Sequence, residues 1–284
     1  MASPAAGLFR GRPDIAVMNK AVLSTWLRRA GLVHLADALR FRLLQARYHA
    51  ENQRFRLANP AVALPPDYLM YESFKLNYRS YYEGGRATAE WLKEHLGPHL
   101  CLAEARVLDW GCGPGRVIRH LPAVIGPGGR FTGTDANAQS VAWCRVYLPY
   151  LDFLHNGLRP PLAAAAGAFD AAYGISIFTH LSEPAHALWL VELQRVLRPG
   201  GVLLLTTHGA AFRPILTPVE RARFDDGQLV ERRHAREGHR VYAAFQPPAF
   251  LRTLFDAQWA VLRHVPGEWL GHTASQDVWV LRKQ

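Results

Sequence analysis

The segment VLDWGCGPGR, residues 107 to 116, places Gly111, Gly113 and Gly115 within five positions, directly after an apolar run. Glycine loses more conformational freedom on folding than any other residue. A cluster of this kind needs a backbone reason: a tight strand-to-helix turn, a ligand lying against the main chain, or both. The spacing is G-x-G-x-G, with Arg116 where the dinucleotide-binding fingerprint G-x-G-x-x-G has its third glycine. The tighter spacing suits a ligand without a pyrophosphate. The next apolar run, in FTGTDAN, ends at Asp135. A carboxylate there can accept hydrogen bonds from both hydroxyls of a ribose. Dinucleotide enzymes place an acid similarly, so this residue does not choose between cofactors. It could also cap the helix that follows.

Groups able to move a proton are few. His180 in FTHL and His208 in TTHG follow apolar runs and are the base candidates, His208 slightly the better one. His180 reads equally as a packing or hydrogen-bonding residue. Tyr81 and Tyr82, beside Gly84 and Gly85, could roof a ligand or simply pack a helix; Tyr242 and Phe245 lie in a later excursion that could act as a lid. Cys101, Cys112 and Cys144 are irregularly spaced and make neither a zinc pattern nor a disulfide framework. No carboxylate pair and no nucleophilic Ser or Cys arrangement is evident, and no metal site is expected.

The elements that must position these residues follow from periodicity. Apolar runs at 106–110, 130–134, 151–155, 169–175 and 201–207 alternate with helical stretches near 115–124, 137–147 and 184–197. WAVLRHV and DVWVLRK add two final strands, and PPAFLRTLF starts a helix between them and the excursion. This alternation predicts an α/β protein: a Rossmann-like, doubly wound, seven-stranded, mostly parallel sheet with helices on both faces. In such a sheet a ligand sits at the carboxyl ends of the strands, where the glycine loop falls. Residues 1–70 read as an N-terminal helical extension and a proline-rich connector, 71–284 as the main domain, and 209–247 as the excursion or lid. In the extension Ile15, Met18, Val22 and Trp26, then Leu32, Leu35, Leu39 and Leu43, recur at helical steps, with Gly31 between two helices.

VLDWGCGPGR, GTDAN, FDAAYGISIFTHLSE and RVLRPGGVLLLTTHG, in this order, resemble the motifs of class I S-adenosylmethionine-dependent methyltransferases, over roughly residues 71–284. The resemblance implies S-adenosylmethionine as cofactor and S-adenosylhomocysteine as product. It places Asp109, Gly111, Cys112, Gly113 and Gly115 against the methionine part, Asp135 on the ribose hydroxyls and Ala136 beside the adenine. Asn156, Gly157 and Leu158 fall at the adenine segment, where the family often has an acid; the Asn156 amide oxygen can still accept from the adenine amine. Gly174, Ile175 and Phe178 would border the methionine chain, Arg86 could pair with its carboxylate, and Tyr81 could close over it. Tyr82, Tyr242 and Phe245 would shape the acceptor pocket. RPGG, at 198–201, ends a helix and starts a strand, a structural task.

Charge bears on partners. The chain of 284 residues carries +10, and residues 1–60 hold ten Arg/Lys against three Asp/Glu, so +7 of the excess lies in the first fifth. Such a segment could meet nucleic acid, anionic lipid or an acidic partner, pair two copies of the chain, or be a solvated helical face. The expected acceptor is a small or medium-sized molecule methylated at oxygen. The alternatives are an RNA or protein methyltransferase that uses the basic helices, and a protein of this fold with a binding or non-methylating role. There is no aromatic-basic RNA module and no NPPY-type motif after the fourth strand, where GISI stands. No apolar run is long enough to cross a membrane, none resembles a secretory signal, and a reducing cytoplasm is the expected location.

Overall fold

A computed structural model describes residues 32–284 apart from 234, 256, 257 and 272. The helix expected over residues 14–30 lies outside the described residues. The apolar runs become strands: β1 (Arg106–Trp110), β2 (Arg130–Asp135), β3 (Asp152–His155), β4 (Phe169–Gly174), β5 (Leu197–Thr207), β8 (Trp259–Val265) and β9 (Asp277–Lys283). They form one sheet in the order β3-β2-β1-β4-β5-β9-β8. β1 to β5 pair in parallel, and β9 inserts antiparallel between β5 and β8. The chain reverses its direction of growth between β1 and β4, so a crevice opens at their carboxyl ends.

Side-chain alternation explains why the sheet is covered on both faces. Leu108 and Trp110 of β1, with Leu203 and Leu205 of β5, enter one apolar cluster; Val107, Val202 and Leu204 enter the other. The first cluster is closed by α6 (Glu183–Val196) and α8 (Pro248–Phe255), which supply Trp189, Leu193, Leu251 and Phe255. The second is closed by α3 (Tyr78–Leu96), α4 (Leu121–Ile125) and α5 (Ala138–Tyr147), through Leu92, Leu121 and Val141. α5 is capped by Asn137, whose side-chain oxygen accepts from the Gln139 and Ser140 amides. The cap is therefore Asn137 and not Asp135.

Two differences from the sequence pattern have local causes. The helical stretch expected from residue 115 starts only as a 3-10 turn at Ile118–His120, because Gly115 sits at φ +72° and cannot continue a helix. β5 begins at Leu197 and so includes RPGG, with Gly200 at φ +70° and a register shift opposite Phe169–Ala171.

Before the sheet come α1 (Val33–Ala58) and α2 (Asp67–Ser73). Phe41, Leu44 and Phe55 of α1 pack with Met70, Tyr71, Leu76, Tyr78 and Tyr81 in a separate apolar cluster. Leu35, Leu39 and Leu43, whose spacing marks the helix in the sequence, are exposed. After β5, α7 (Pro218–Asp225) carries a capping box between Thr217 and Glu220, and β6 (Val230–Arg232) pairs antiparallel with β7 (Ala243–Phe245).

Candidate functional site

All three loop glycines adopt positive φ: +82° at Gly111, +52° at Gly113 and +72° at Gly115. Each also faces a neighbour that leaves no room for a Cβ. That atom would lie 2.0 Å from Ile177 Cδ1 at Gly111, 2.9 Å from Ser73 Cβ at Gly113 and 2.6 Å from Leu148 Cδ1 at Gly115. Turn geometry and close approach are both needed. The loop amides are already committed. Gly111 and Cys112 donate to Thr134 O at 2.8 and 2.9 Å, Gly115 donates to Cys112 O, and Gly113 donates to Asp135 Oδ2 at 2.7 Å. A loop with its N–H groups spent in this way offers a contact wall rather than a phosphate cradle.

Asp135 ends β2 with its other oxygen accepting from the Asn137 amide at 2.7 Å. Burial raises its pKa, and the Asn137 and Gly113 amides oppose the shift. Around it lies a cavity of about 100 Å³ lined by Trp110, Gly111, Asp135, Ala136, Asn156, Gly157, Leu158, Ile177, His180, Leu181, Trp189 and Gly238. A second cleft of about 390 Å³ shares Asp135, Ala136, Leu158 and Gly238 with it. Gly238 lines both. Its amide donates to His180 O at 2.9 Å, and Glu237 accepts from the Ser182 amide at 2.7 Å.

Asn156 is buried; its Nδ2 donates to Gly157 O at 2.7 Å, and its Oδ1 has no hydrogen-bond partner. An unpaired buried acceptor on a cavity wall is suited to a ligand donor. His180 Nδ1 lies 2.8 Å from Tyr242 O. A carbonyl only accepts, so Nδ1 carries the proton and Nε2 keeps its lone pair. Burial lowers the His180 pKa, which holds the ring neutral.

The structure thus brings Gly111, Asp135, Ala136, Asn156, Gly157, Leu158 and His180 to one cavity. Several expected residues go elsewhere. Arg86 is not at the cavity: its side chain is 69% exposed and pairs with Glu90. The buried cation at the loop is Arg119, which donates to Gly115 O and Pro114 O; the half-buried Arg116 stacks on Phe74 and donates to Thr88 Oγ1. Tyr81 is fully buried and donates to Pro114 O at 3.0 Å, so it props the loop from behind. Tyr82 packs between Phe55 and His120. Tyr242 is buried, with its hydroxyl on Glu231, and Phe245 is buried against His208 and Phe212. Neither can line an open acceptor pocket. His208 has Nδ1 committed to Ala244 O and its pKa pushed down to about 3, chiefly by burial; it does not line the cavity. Phe178 and Gly174 pack on Trp110, and Ile175 packs on the other apolar cluster.

Asp109 is buried on β1 rather than at the cavity, and burial pushes its pKa up to about 7. Cys112 and Cys144 fill space under the loop with their sulfurs toward Gly113 O. Trp110, Ile177, Trp189 and Gly238 line the cavity without having been singled out in the sequence. Trp110 and Ile177 lie inside VLDWGCGPGR and FDAAYGISIFTHLSE, so the motifs themselves carried the signal. Trp189 and Gly238 come from a helix face and a remote segment, which carry no local signal.

Residues 107–201 match the methyltransferase domain family. Among curated proteins, 139 residues are 27% identical to a ubiquinone biosynthesis O-methyltransferase of Aromatoleum aromaticum, covering 48% of this chain and 56% of that one. A stretch of 101 residues is 37% identical to a trans-aconitate 2-methyltransferase of an Azoarcus species, covering 36% and 38%. The chain thus spans between about a third and just over a half of the length of the curated relatives it matches. Among solved structures, an S-adenosylmethionine-dependent methyltransferase of Mesorhizobium loti superposes with a TM-score of 0.53 at 16% identity, covering 69% of this chain and 98% of that one. That likeness concerns the fold.

Proposed function

We propose that this chain, a member of the class I S-adenosylmethionine-dependent methyltransferases, methylates a small or medium-sized acceptor at oxygen. The observation that carries the reading is the cavity at the carboxyl ends of β1 to β4, with the Asp135 carboxylate and the unpaired Asn156 oxygen on its wall. When bound, S-adenosylmethionine supplies a methyl group on a sulfonium, which an acceptor displaces in line to leave S-adenosylhomocysteine.

The residues fit this cofactor by their chemistry. Backbone amides fix the Asp135 carboxylate and leave lone pairs for the two ribose hydroxyls. Asn156 Oδ1 is matched to the adenine amine. Ala136, Leu158 and Ile177 offer apolar walls for a flat base. The segment around Gly238 closes the cleft and excludes water from the reacting centre. An oxygen acceptor must lose a proton, and the neutral His180, which lines the cavity and has Nδ1 committed to Tyr242 O, replaces His208 as the base. The relatives' acceptors differ from one another; the small-molecule oxygen acceptor follows the ubiquinone biosynthesis O-methyltransferase among them.

Calorimetric titration with S-adenosylmethionine and S-adenosylhomocysteine tests the reading. One-site binding is expected for the native chain, with affinity lowered at least about a hundredfold in Asp135→Ala, where two charge-assisted hydrogen bonds are lost. His180→Gln should bind both ligands within about threefold of the native chain, because no cofactor contact is assigned to that ring. Absence of binding by folded native protein would remove the proposal.

A further inference from the structure

We infer that the outward face of α1 is a docking surface for an anionic lipid membrane. At 100° per residue, Leu35, Leu39, Leu43, Ala46, Ala50 and Leu57 fall within an arc of about 80°, interrupted by one polar residue, Gln53. All six are exposed: Leu35 is 69% exposed, Leu39 60%, Leu43 62% and Leu57 80%, as are both alanines, and Leu35 and Leu39 also edge a cleft of about 560 Å³ with Phe41 and Tyr68. The opposite face of the helix is already satisfied, with Phe41, Leu44 and Phe55 against the cluster beneath. α1 therefore has two apolar faces, and folding of the described residues buries one of them. An apolar row about 33 Å long is more than the scattered leucines of an ordinary surface.

The charges beside the row select the occupant. Arg40, Arg47 and Arg54 lie along one edge and Arg42 along the other, all exposed. Of the two acids on α1, Asp37 is turned inward to Arg240, and Glu51 lies behind the arginine edge. A second copy of this face would set arginine rows against arginine rows. Residues 1–31 add five Arg/Lys against one Asp to the positive charge of the chain. Nucleic acid would leave the leucines unburied. An anionic monolayer satisfies both features: leucines enter the boundary between headgroups and acyl chains, and arginines extend sideways to the phosphates. The helix would lie in the membrane plane and would not cross it, which agrees with no described helix being long and apolar enough to span.

Co-sedimentation of the full chain with vesicles tests this. Vesicles of phosphatidylcholine with about one third phosphatidylserine should pellet the protein at low salt, and raised salt should release it. Phosphatidylcholine alone should bind at least about tenfold more weakly, because the arginine rows find no net charge. Leu35→Gln/Leu39→Gln/Leu43→Gln removes only exposed side chains; it should cut binding to anionic vesicles at least about tenfold with an unchanged unfolding midpoint. Should that variant misfold, Arg42→Gln/Arg47→Gln serves instead, with a loss of about fivefold per charge. The inference is overturned if the native chain ignores anionic vesicles or if the leucine variant binds as the native chain does. It is also overturned if light scattering shows a dimer that the leucine variant converts to monomer, since a second copy then covers the face.

Discussion

Asp109 shows how one residue can tie stability to pH. It is nearly inaccessible on β1, and the buried Tyr173 hydroxyl faces it without completing a hydrogen bond of normal geometry. Burial dominates and pushes its pKa up to about 7 from the ordinary carboxylate value. Between about pH 4 and pH 7 the folded chain holds a proton that the unfolded chain releases, so stability falls as pH rises through that window. The full shift corresponds to at most about 4 kcal/mol. Asp109→Asn keeps the shape and removes the charge. Its unfolding free energy in denaturant should exceed that of the native chain at pH 8 and converge with it below about pH 4. A variant that is less stable at both pH values would show that the carboxylate makes a favourable contact.

At the scale of elements, Asp170 illustrates what is structural at the far end of the sheet. It opens β4 and accepts from the Arg106 backbone amide at 2.8 Å, while the Arg106 and Arg198 guanidinium groups reach its two oxygens. It therefore pins the starts of β1, β4 and β5 together. The Arg106 side chain, first among the causes, holds the Asp170 carboxyl well below the usual range. The stabilisation is present above the ordinary carboxylate pKa and is lost as pH falls through the lower folded value. Both arginines are more than a third exposed, so screening leaves about 1–2 kcal/mol. Asp170→Asn should lower the thermal midpoint by a few degrees at pH 7, with the gap closing in strong acid, and should leave cofactor affinity unchanged.

The sheet was legible because strand and helix periods differ and because glycine marks turns. Strands such as Arg106–Trp110 and Asp277–Lys283 match their apolar runs residue for residue. The Gly111 loop and Asp135 were legible because each sits at a strand end, where sequence and topology coincide. The orientations of Tyr81, Tyr82, Tyr242 and Phe245 were not, since an aromatic ring reads alike in the sequence whether it packs a core or roofs a cleft. The leucines of α1 mark its helix by their spacing, but periodicity does not report which of its faces finds a partner.

At the scale of the whole molecule, the N-terminal helices are fastened to the segment that crosses the cleft. Arg240 holds Asp37 of α1 and stacks on Tyr71, whose hydroxyl donates to Asp37 Oδ1 at 2.7 Å. Beside it His239 pairs with Glu72 of α2 at 3.3 Å. Asp37, Glu72 and His239 are close enough to share a metal ion, but Arg240 already occupies Asp37, and its charge opposes a cation. The cluster reads instead as a fastening for residues 236–240. The Glu72 carboxylate, 3.3 Å from the ring, raises the His239 pKa. Protonated His239 therefore contributes stability that is complete below its unfolded pKa and disappears as pH rises through the folded value. The fastening should be tighter at pH 6 than at pH 8. Hydrogen exchange at the Gly238 amide, which closes the cleft against His180, reads this directly. After correction for the intrinsic rate, protection should be lower at pH 8 than at pH 6. Glu72→Gln should remove the pH dependence, while Arg240→Gln should lower protection at both pH values. Protection that is equal at pH 6 and 8 in the native chain would place closure of the cleft elsewhere, in Glu237 and its hold on Ser182 and Arg159.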